Sequence, residues 1–573
     1  MVNIHIDNKP CEVPAGSTIF EAAKSIGVMI PTLCHVEGLT PTGACRICVV
    51  EVEGMPGLIP SCSFPVAEGM KIQTHSPRVL LSRKTIVELL LANHPDDCLY
   101  CIRNNDCQLQ ELAADLGVRR RRYTGERSRY KVDVSSPSVI RDPEKCILCG
   151  KCVRVCEEVQ QVSAIDFISR GSATHIGTAF DEGLNLSSCI NCGQCILACP
   201  TGALHEHDHL KGVIDALNDP RRMVVVQHAP SVSVTIGEEF GVPAGTDCDG
   251  IMVAALRRLG FDRIFDTSFS ADLTIMEEGS ELVHRIKNGG KLPMLTSCSP
   301  GWIKFAEQYY PDFLENISSC KSPQQMMGAI IKSFFAEREG VDPSNIYSVS
   351  IMPCTAKKFE AGRKEMLHET HADVDAVLTT RELARLIRMR GLDMKALEPE
   401  GADTPFGERT TAGKIFGASG GVMEAALRSA YFLITGEELA DLNVNAVRGL
   451  EGCKEAHVKI GGIEVGVAVA SGLKNAAALL DQVRAGRDDL HFIEIMTCPG
   501  GCIAGGGQPL STDREAITRR MQSLYAIDAS ETVRTSHANE SIQRLYKEFL
   551  GQPLSDKSHH LLHTHYAKRE VML

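Results

Sequence analysis

Eight cysteines fall in two runs of identical spacing, and no other feature of the chain restricts its fold as tightly. Cys146-x2-Cys149-x2-Cys152-x3-Cys156 recurs as Cys189-x2-Cys192-x2-Cys195-x3-Cys199, with Pro200 behind it. In such a double run three thiolates bind one cubane iron–sulfur cluster and the fourth reaches across to the other cluster. Cys146, Cys149, Cys152 and Cys199 are therefore expected to hold one [4Fe–4S] cluster. Cys189, Cys192, Cys195 and Cys156 are expected to hold a second. Eight thiols at this doubled spacing have no ordinary structural explanation.

The chain has 23 cysteines in 573 residues, mostly in tight clusters. The N-terminus, Met1-Val-Asn-Ile-His-Ile-Asp7, lacks the basic and apolar regions of a secretory leader. In a cytoplasmic protein, cysteines so spaced signal metal or redox chemistry and not a disulfide framework. The length exceeds what one core can serve, and four domains are expected: 1–80, 81–125, 126–210 and 211–573. The net charge of −12 argues against nucleic acid as a partner. No apolar run reaches the roughly 18 residues that span a bilayer. The basic run Arg119–Arg122 reads as a solvated face, with a docking patch for an acidic partner as the alternative.

Residues 1–80 open with an alternating strand, Val2-Asn-Ile-His-Ile6. A turn is expected at Asn8-Lys9-Pro10, and Cys11-Glu-Val-Pro14 returns. Ser17 is placed as the N-cap of a helix starting at Thr18. Cys34, Cys45, Cys48 and Cys62 follow, and the strand Val49–Glu53 leaves the tight loop around Cys45 and Cys48. Four thiolates on a loop and an adjoining turn suit a [2Fe–2S] centre, with structural zinc as the alternative. This region resembles plant-type ferredoxin, which implies a β-grasp fold; its first cysteine gap is longer than the usual C-x4-C. Residues 81–125 begin with a helix over Leu80–Ala92, then His94, Cys98, Cys101 and Cys107, then a helix over Leu109–Leu116. Taken alone, that ligand set suits zinc equally well. Between iron–sulfur modules, a [4Fe–4S] cluster with one His ligand is expected. Residues 126–210 resemble bacterial two-cluster ferredoxins.

Residues 211–573 change character. Val224–Gln227 and Ile346–Ile351 read as buried strands, and Cys248–Leu259 and Leu282–Lys287 as helices. The alternation predicts α/β architecture with parallel sheet, long enough for two lobes and a cleft. Three cysteine motifs stand far apart here. They are Thr296-Ser-Cys298-Ser-Pro-Gly-Trp302, Met352-Pro-Cys354-Thr-Ala-Lys357-Lys-Phe-Glu360, and a run from Glu494 to Pro509 containing Cys498-Pro-Gly-Gly-Cys502 and Gly505–Gly507. None makes a metal site alone. Together, Cys298, Cys354, Cys498 and Cys502 suffice for one more cluster built from three loops. The glycines are expected to leave room for a bulky group and to let backbone approach it. Trp302, the one tryptophan, is expected to pack beside its loop. Cys11, Cys248, Cys320 and Cys453 lie outside every cluster and read as small buried hydrophobes. The imidazole-rich tail His559–His565 reads as a polar helix face, with a metal site as the alternative.

The three motifs resemble the active-site signatures of [FeFe]-hydrogenase, and the upstream modules resemble those of its long, multi-cluster members. The resemblance implies an enzyme interconverting H2 with protons and electrons at an H-cluster. That group is a [4Fe–4S] cubane bridged by one thiolate, here Cys502, to a two-iron site carrying CO, cyanide and a dithiolate amine. By position, Ala229, Pro230, Ser231, Gln324, Met352, Phe416 and Met496 would surround the two-iron site, and Lys357 would face a cyanide nitrogen. Glu360 competes for Lys357 as an ion-pair partner. The implied proton relay is Cys298, Glu278, Ser318 and Glu281. One departure is plain: the family's first motif has two adjacent cysteines, and this chain has Ser299 in the ligand's place. Either Ser299 ligates weakly or Cys298 moves to the cubane. The resemblance implies maturation proteins, and ferredoxin or a flavin subunit using NAD(P)H as electron partners; no dinucleotide fingerprint occurs in the chain itself. The competing readings are an electron-conduit subunit of another enzyme and a hydrogenase-like protein of cluster assembly or gas sensing.

Overall fold

The structure, a computed structural model, describes residues 1–125, 130–368, 371–511 and 513–571. The expected boundary between the second and third domains falls at residues 126–129, outside the described residues.

In the first segment Val2–Ile6 pairs antiparallel with Lys9–Val13. The turn is Asp7-Asn8, both at positive φ (48° and 65°), one step earlier than Asn8–Pro10. A two-residue hairpin turn needs left-handed residues, which Asp and Asn supply, so Lys9 and Pro10 already belong to the returning strand. Val2–Ile6 also runs parallel to Lys71–Gln73, which pairs antiparallel with Val49–Val52, and Ile59–Pro60 closes a five-stranded sheet. The helix crossing it is Ile19–Ser25. Its cap is Thr18 and not Ser17: the Thr18 hydroxyl accepts the Glu21 N–H, and Glu21 accepts the Thr18 N–H at 2.7 Å. This reciprocal pair satisfies two donors at once. The helix buries Ile19, Ala22 and Ala23 in a core with Ile4, Ile6, Val50 and Ile72.

A longer helix than expected, Pro77–Asn93, follows, capped by Ser76 and ending at His94. Gln108–Asp115 starts directly after Cys107. The cysteine repeat is also a backbone repeat. Leu148 and Gly150 (φ 54° and 70°) are matched by Asn191 and Gly193 (φ 62° and 69°). Both glycines start helices, Lys151–Arg154 and Gln194–Ala198.

The remaining residues form two four-stranded sheets. One is all parallel: Arg263–Asp266, Met223–His228, Ile346–Met352 and Ala376–Thr379 in spatial order. Its central strands are buried along nearly their whole length, which is why they read as continuous apolar runs. In the other, Met294–Leu295, Leu490–Met496 and Ile463–Ser471 run parallel, and Cys453–Ile460 adds an antiparallel edge. Cys453 on that edge is exposed, unlike Cys11, Cys248 and Cys320, which are buried.

The helix expected over 282–287 is the end of a much longer one, Thr267–Asn288. Its earlier turns are buried on most sides and carry Asp272, Glu277 and Glu278 among the apolar residues, so no amphipathic period shows in the sequence. The tail is also not a plain polar face. His563 is buried, and Leu561 and Leu562 join the core of Phe265, Phe335 and Ile542; His559 and His560 remain exposed.

Candidate active site

The three cysteine loops leave their sheets at the same ends of parallel strands, where open α/β sheets place ligands. Met223–His228 delivers Ala229, Pro230 and Ser231; Ile346–Met352 delivers Met352 and Cys354. From the other sheet, Met294–Leu295 leads to Cys298 and Ser299, and Leu490–Met496 to Met496, Cys498 and Cys502. All of these line one cavity, together with Gln324, Lys357 and Phe416. Thr267, Ala271, Pro323, Thr497 and Cys192 also line it; Thr267, Ala271 and Pro323 lie outside the cysteine motifs and gave no signal in the sequence, whereas Cys192 comes from the cysteine repeat.

Cys354, Cys498 and Cys502 face one another. Burial and the neighbouring thiols push Cys498 up, and the same causes push Cys502 up to about 12. Three soft donors converging in a buried cavity suit a thiophilic metal centre such as iron–sulfur or zinc. Two of the glycines are packed closely against other backbone. A Cβ on Gly505 would lie 2.3 Å from the Pro353 carbonyl oxygen, and one on Gly506 would lie 2.2 Å from that of Cys192. They make room for other backbone, so that three loops can stack. Trp302 is fully buried and donates to the Thr296 carbonyl (3.0 Å).

Lys357 is buried, and its ammonium donates to the Cys298 carbonyl (3.1 Å) and to Glu360 (2.9 Å). The ion pair and the cavity position thus coexist. Glu360 also accepts from Ser322 (2.8 Å) and Gln324 (3.1 Å), so one buried carboxylate orients two cavity residues. The Ser299 hydroxyl is 2.8 Å from the Thr497 hydroxyl and accepts the Thr497 N–H at 3.3 Å.

A chain of polar groups runs outward from Cys298. Burial raises that thiol well above its ordinary value, with the Glu278 charge adding to the effect. Burial pushes the Glu278 carboxyl up to about 8; the Glu281 charge adds to this and a Ser318 hydrogen bond opposes it. Glu278 Oε1 is buried without a partner among the described residues. Ser318 donates to Glu281 Oε2 (2.9 Å), and Glu281 Oε1 is held by Arg285 (2.6 Å) at a side-chain exposure of 12 %. Glu278 and Glu281 lie three apart on the long helix, which sets them side by side.

Cys146, Cys149, Cys152 and Cys199 line a second cavity, and Cys156, Cys189, Cys192 and Cys195 a third. Cys34 lies within hydrogen-bond reach of Cys45 and Cys62, and Cys62 of Cys48. His94 is buried with Nδ1 unpartnered among the described residues, and burial lowers its pKa. Cys101 lies against Gly202, and the Cys107 thiol 3.7 Å from the Pro200 carbonyl. The His94 group therefore abuts the end of the cysteine repeat. Its other half, at Cys192, forms part of the active-site wall.

Behind the cavity sits a buried ionic group with no motif to announce it. Lys414 pairs with Asp249 (3.0 Å), Arg409 with Asp266 (3.2 Å), and His228 lies among them.

Comparison with known proteins agrees along the whole chain. Residues 222–506 match the family described as iron only hydrogenase large subunit, C-terminal domain, and 514–569 the iron hydrogenase small subunit. Residues 1–77 match a 2Fe-2S iron-sulfur cluster binding domain, 83–122 the NADH-ubiquinone oxidoreductase-G iron-sulfur binding region, and 145–203 a 4Fe-4S dicluster domain. An NADP-reducing hydrogenase subunit of Solidesulfovibrio fructosivorans is 49% identical over 100% of this chain and 99% of its own. Iron hydrogenase 1 of Clostridium pasteurianum is 41% identical over 99% and 100%. A solved [FeFe]-hydrogenase of Chlamydomonas reinhardtii is 41% identical, covers 64% of this chain and 100% of its own, and superposes with a TM-score of 0.58.

Proposed function

The chain belongs to the [FeFe]-hydrogenase family, and from that premise we propose that it interconverts dihydrogen with protons and electrons at an H-cluster in the three-loop cavity. The observation that carries this reading is the convergence of Cys354, Cys498 and Cys502 with Lys357, Met352 and Met496 in one cavity from which the Glu278 chain departs. When bound, the two-iron group supplies the metal at which H2 is made or split.

The protein's own residues do the rest. Cys354, Cys498 and Cys502 would hold the cubane, and Cys502 would also hold the two-iron group. The tie between Ser299 and Thr497 favours Ser299 for the fourth place, and the electrostatic influence of Glu278 on the Cys298 thiol favours Cys298 as the first proton carrier. Lys357 and Gln324, aligned by Glu360, present donors to anionic ligands. Met352, Phe416 and Met496 exclude water and offer polarisable contact. Ala229, Pro230 and Ser231 close the opposite wall. Protons pass through Cys298, Glu278, Ser318 and Glu281.

Cys156, Cys189, Cys192 and Cys195 would hold one [4Fe–4S] cluster beside the active-site wall, and Cys146, Cys149, Cys152 and Cys199 a second. His94, Cys98, Cys101 and Cys107 would hold a third, and Cys34, Cys45, Cys48 and Cys62 a [2Fe–2S] centre in a β-grasp domain; these groups would supply one-electron transfer between the cavity and a partner. The NADP-reducing relative, itself a subunit, supports an NADP-linked partner subunit, which we take to be a flavin subunit using NAD(P)H; ferredoxin is the one-electron alternative, and maturation proteins are needed for the two-iron group. Among the described residues no helix is long and apolar enough to cross a membrane, and the reading is of a cytoplasmic enzyme. Infrared spectra of protein made with its maturation partners should carry CO and cyanide bands alongside H2 evolution. Their absence from protein with full accessory clusters would sink the proposal.

A further inference from the structure

Gln508 is fully buried behind the Cys498–Cys502 loop, and its side chain ties together residues from three segments. Nε2 donates to the Cys502 carbonyl (3.0 Å) and to the Ser231 hydroxyl (3.4 Å). Oε1 accepts from the hydroxyls of Thr235 (2.7 Å) and Thr380 (2.9 Å). A primary amide offers two donor hydrogens and two acceptor positions, and all four are used. A carbonyl oxygen can only accept, so Cys502 fixes which end of the amide faces it. The main chain is held as well. Arg381 donates to the carbonyls of Gly506 (2.9 Å) and Gln508, and it pairs with the buried Glu206 (2.9 Å). The amide is therefore fixed in place and in orientation.

That orientation decides where the Ser231 proton goes. Ser231 is fully buried and lines the cavity. A Cβ on Gly417 would stand 3.1 Å from the Ser231 Cβ, so the serine is also packed from its other side. Among the described residues Gln508 is the one hydrogen-bond partner of its hydroxyl, and there the oxygen accepts. A hydroxyl has a single hydrogen to donate. With its oxygen turned to Gln508, that hydrogen is left to point into the cavity. A donor set in advance in a buried cavity meets an anion without the cost of reorienting.

We propose that Gln508 is a positioning residue for the three-loop cavity: it turns the Ser231 proton inward, as a fixed donor to an anionic diatomic ligand, and holds the Cys502 backbone from the same nitrogen. Donor and thiolate thus keep their places relative to each other. The inference rests on the hydrogenase reading, in which that ligand is cyanide.

The test uses the matured holoenzyme, read by infrared spectroscopy and H2 evolution. Gln508→Met keeps the volume and removes the amide. It should shift a cyanide band from its parent position and lower H2 evolution by about tenfold or more. Gln508→Asn, whose amide is drawn back by one methylene, should shift the same band in the same direction. Ser231→Ala should give that shift too, and Gln508→Met should add nothing to it in that background. Thr380→Val loosens the amide from its acceptor side alone; it should lower thermal stability and leave the bands where they are. Cyanide bands at the parent position in both Gln508 variants overturn the inference. So does a shift that Thr380→Val reproduces, which would be general loosening of the loop. A shift that Gln508→Met still adds to Ser231→Ala overturns the route through Ser231. A parent protein without cyanide bands sinks the hydrogenase reading itself, and the donor role with it.

Discussion

Glu278 has the Glu281 charge three residues along its own helix, and burial with that charge holds its proton up to about pH 8. Below that pH the carboxyl is protonated and can donate toward Cys298; above it the group is an anion and the step inward fails. H2 evolution driven by a reduced viologen is therefore expected to decline as pH rises through about 8, and Glu278→Gln to lower it by about 100-fold or more. A profile unchanged in the variant would remove Glu278 from the path. Ser299 is the second residue that decides chemistry. A hydroxyl is a poorer iron ligand than a thiolate, so Ser299→Cys should slow iron loss to a chelator while H2 evolution persists. Identical iron loss would put Cys298 on the cubane instead.

At the scale of elements, contact between loops matters more than any single side chain. Gly506 lies against Cys192, where a Cβ would stand 2.2 Å from the carbonyl oxygen. Gln194 donates to the Ala504 carbonyl (2.9 Å) and Thr355 to that of Asn191 (2.8 Å) across the same seam. Gly506→Ala should cost ~1–3 kcal/mol by overpacking and slow electron passage from the outer clusters to the active site. Stopped-flow reduction would show normal outer clusters and delayed turnover; undelayed turnover would mean the seam is not on the electron route. Under the first sheet, Lys414 is enclosed with Asp249 and Asp266, tying the ends of Met223–His228 and Arg263–Asp266 to the segment before Phe416. Lys414→Met removes one partner from a buried ionic group. Such changes cost ~3–5 kcal/mol, which denaturant unfolding would register; an unchanged midpoint would show that the carboxylates accept protons or water instead.

Across the whole molecule, the N-terminal domain is held on the cysteine repeat by few groups. Arg154 donates to the carbonyls of Thr40 (2.5 Å) and Cys34, and Glu158 accepts the Thr40 N–H (3.0 Å). On the proposed ligand assignment, with Cys34 holding the [2Fe–2S] centre, this contact would set the separation between that centre and the repeat. Arg154→Ala should leave viologen-driven H2 evolution intact while slowing reoxidation of the [2Fe–2S] signal in freeze-quench spectra. Equal rates would route electrons through the His94 cluster alone.

The sequence by itself determined the family and the presence of iron–sulfur domains, because the cysteine motifs that mark them are set by spacing along a few residues of chain. It also specified the buried parallel strands, whose apolar runs report their surroundings directly. The Thr18 cap and the Asp7-Asn8 turn were missed by one residue, since neighbouring residues offer nearly the same local chemistry. Only the tertiary structure decided that Ser299 is tied to Thr497, that Gly506 is packed against backbone, and that His563 turns inward to Glu277 and Ser319. Each of those depends on crossovers that bring strand ends together over hundreds of residues, where side chains select their partners by burial and charge and no local pattern records the choice.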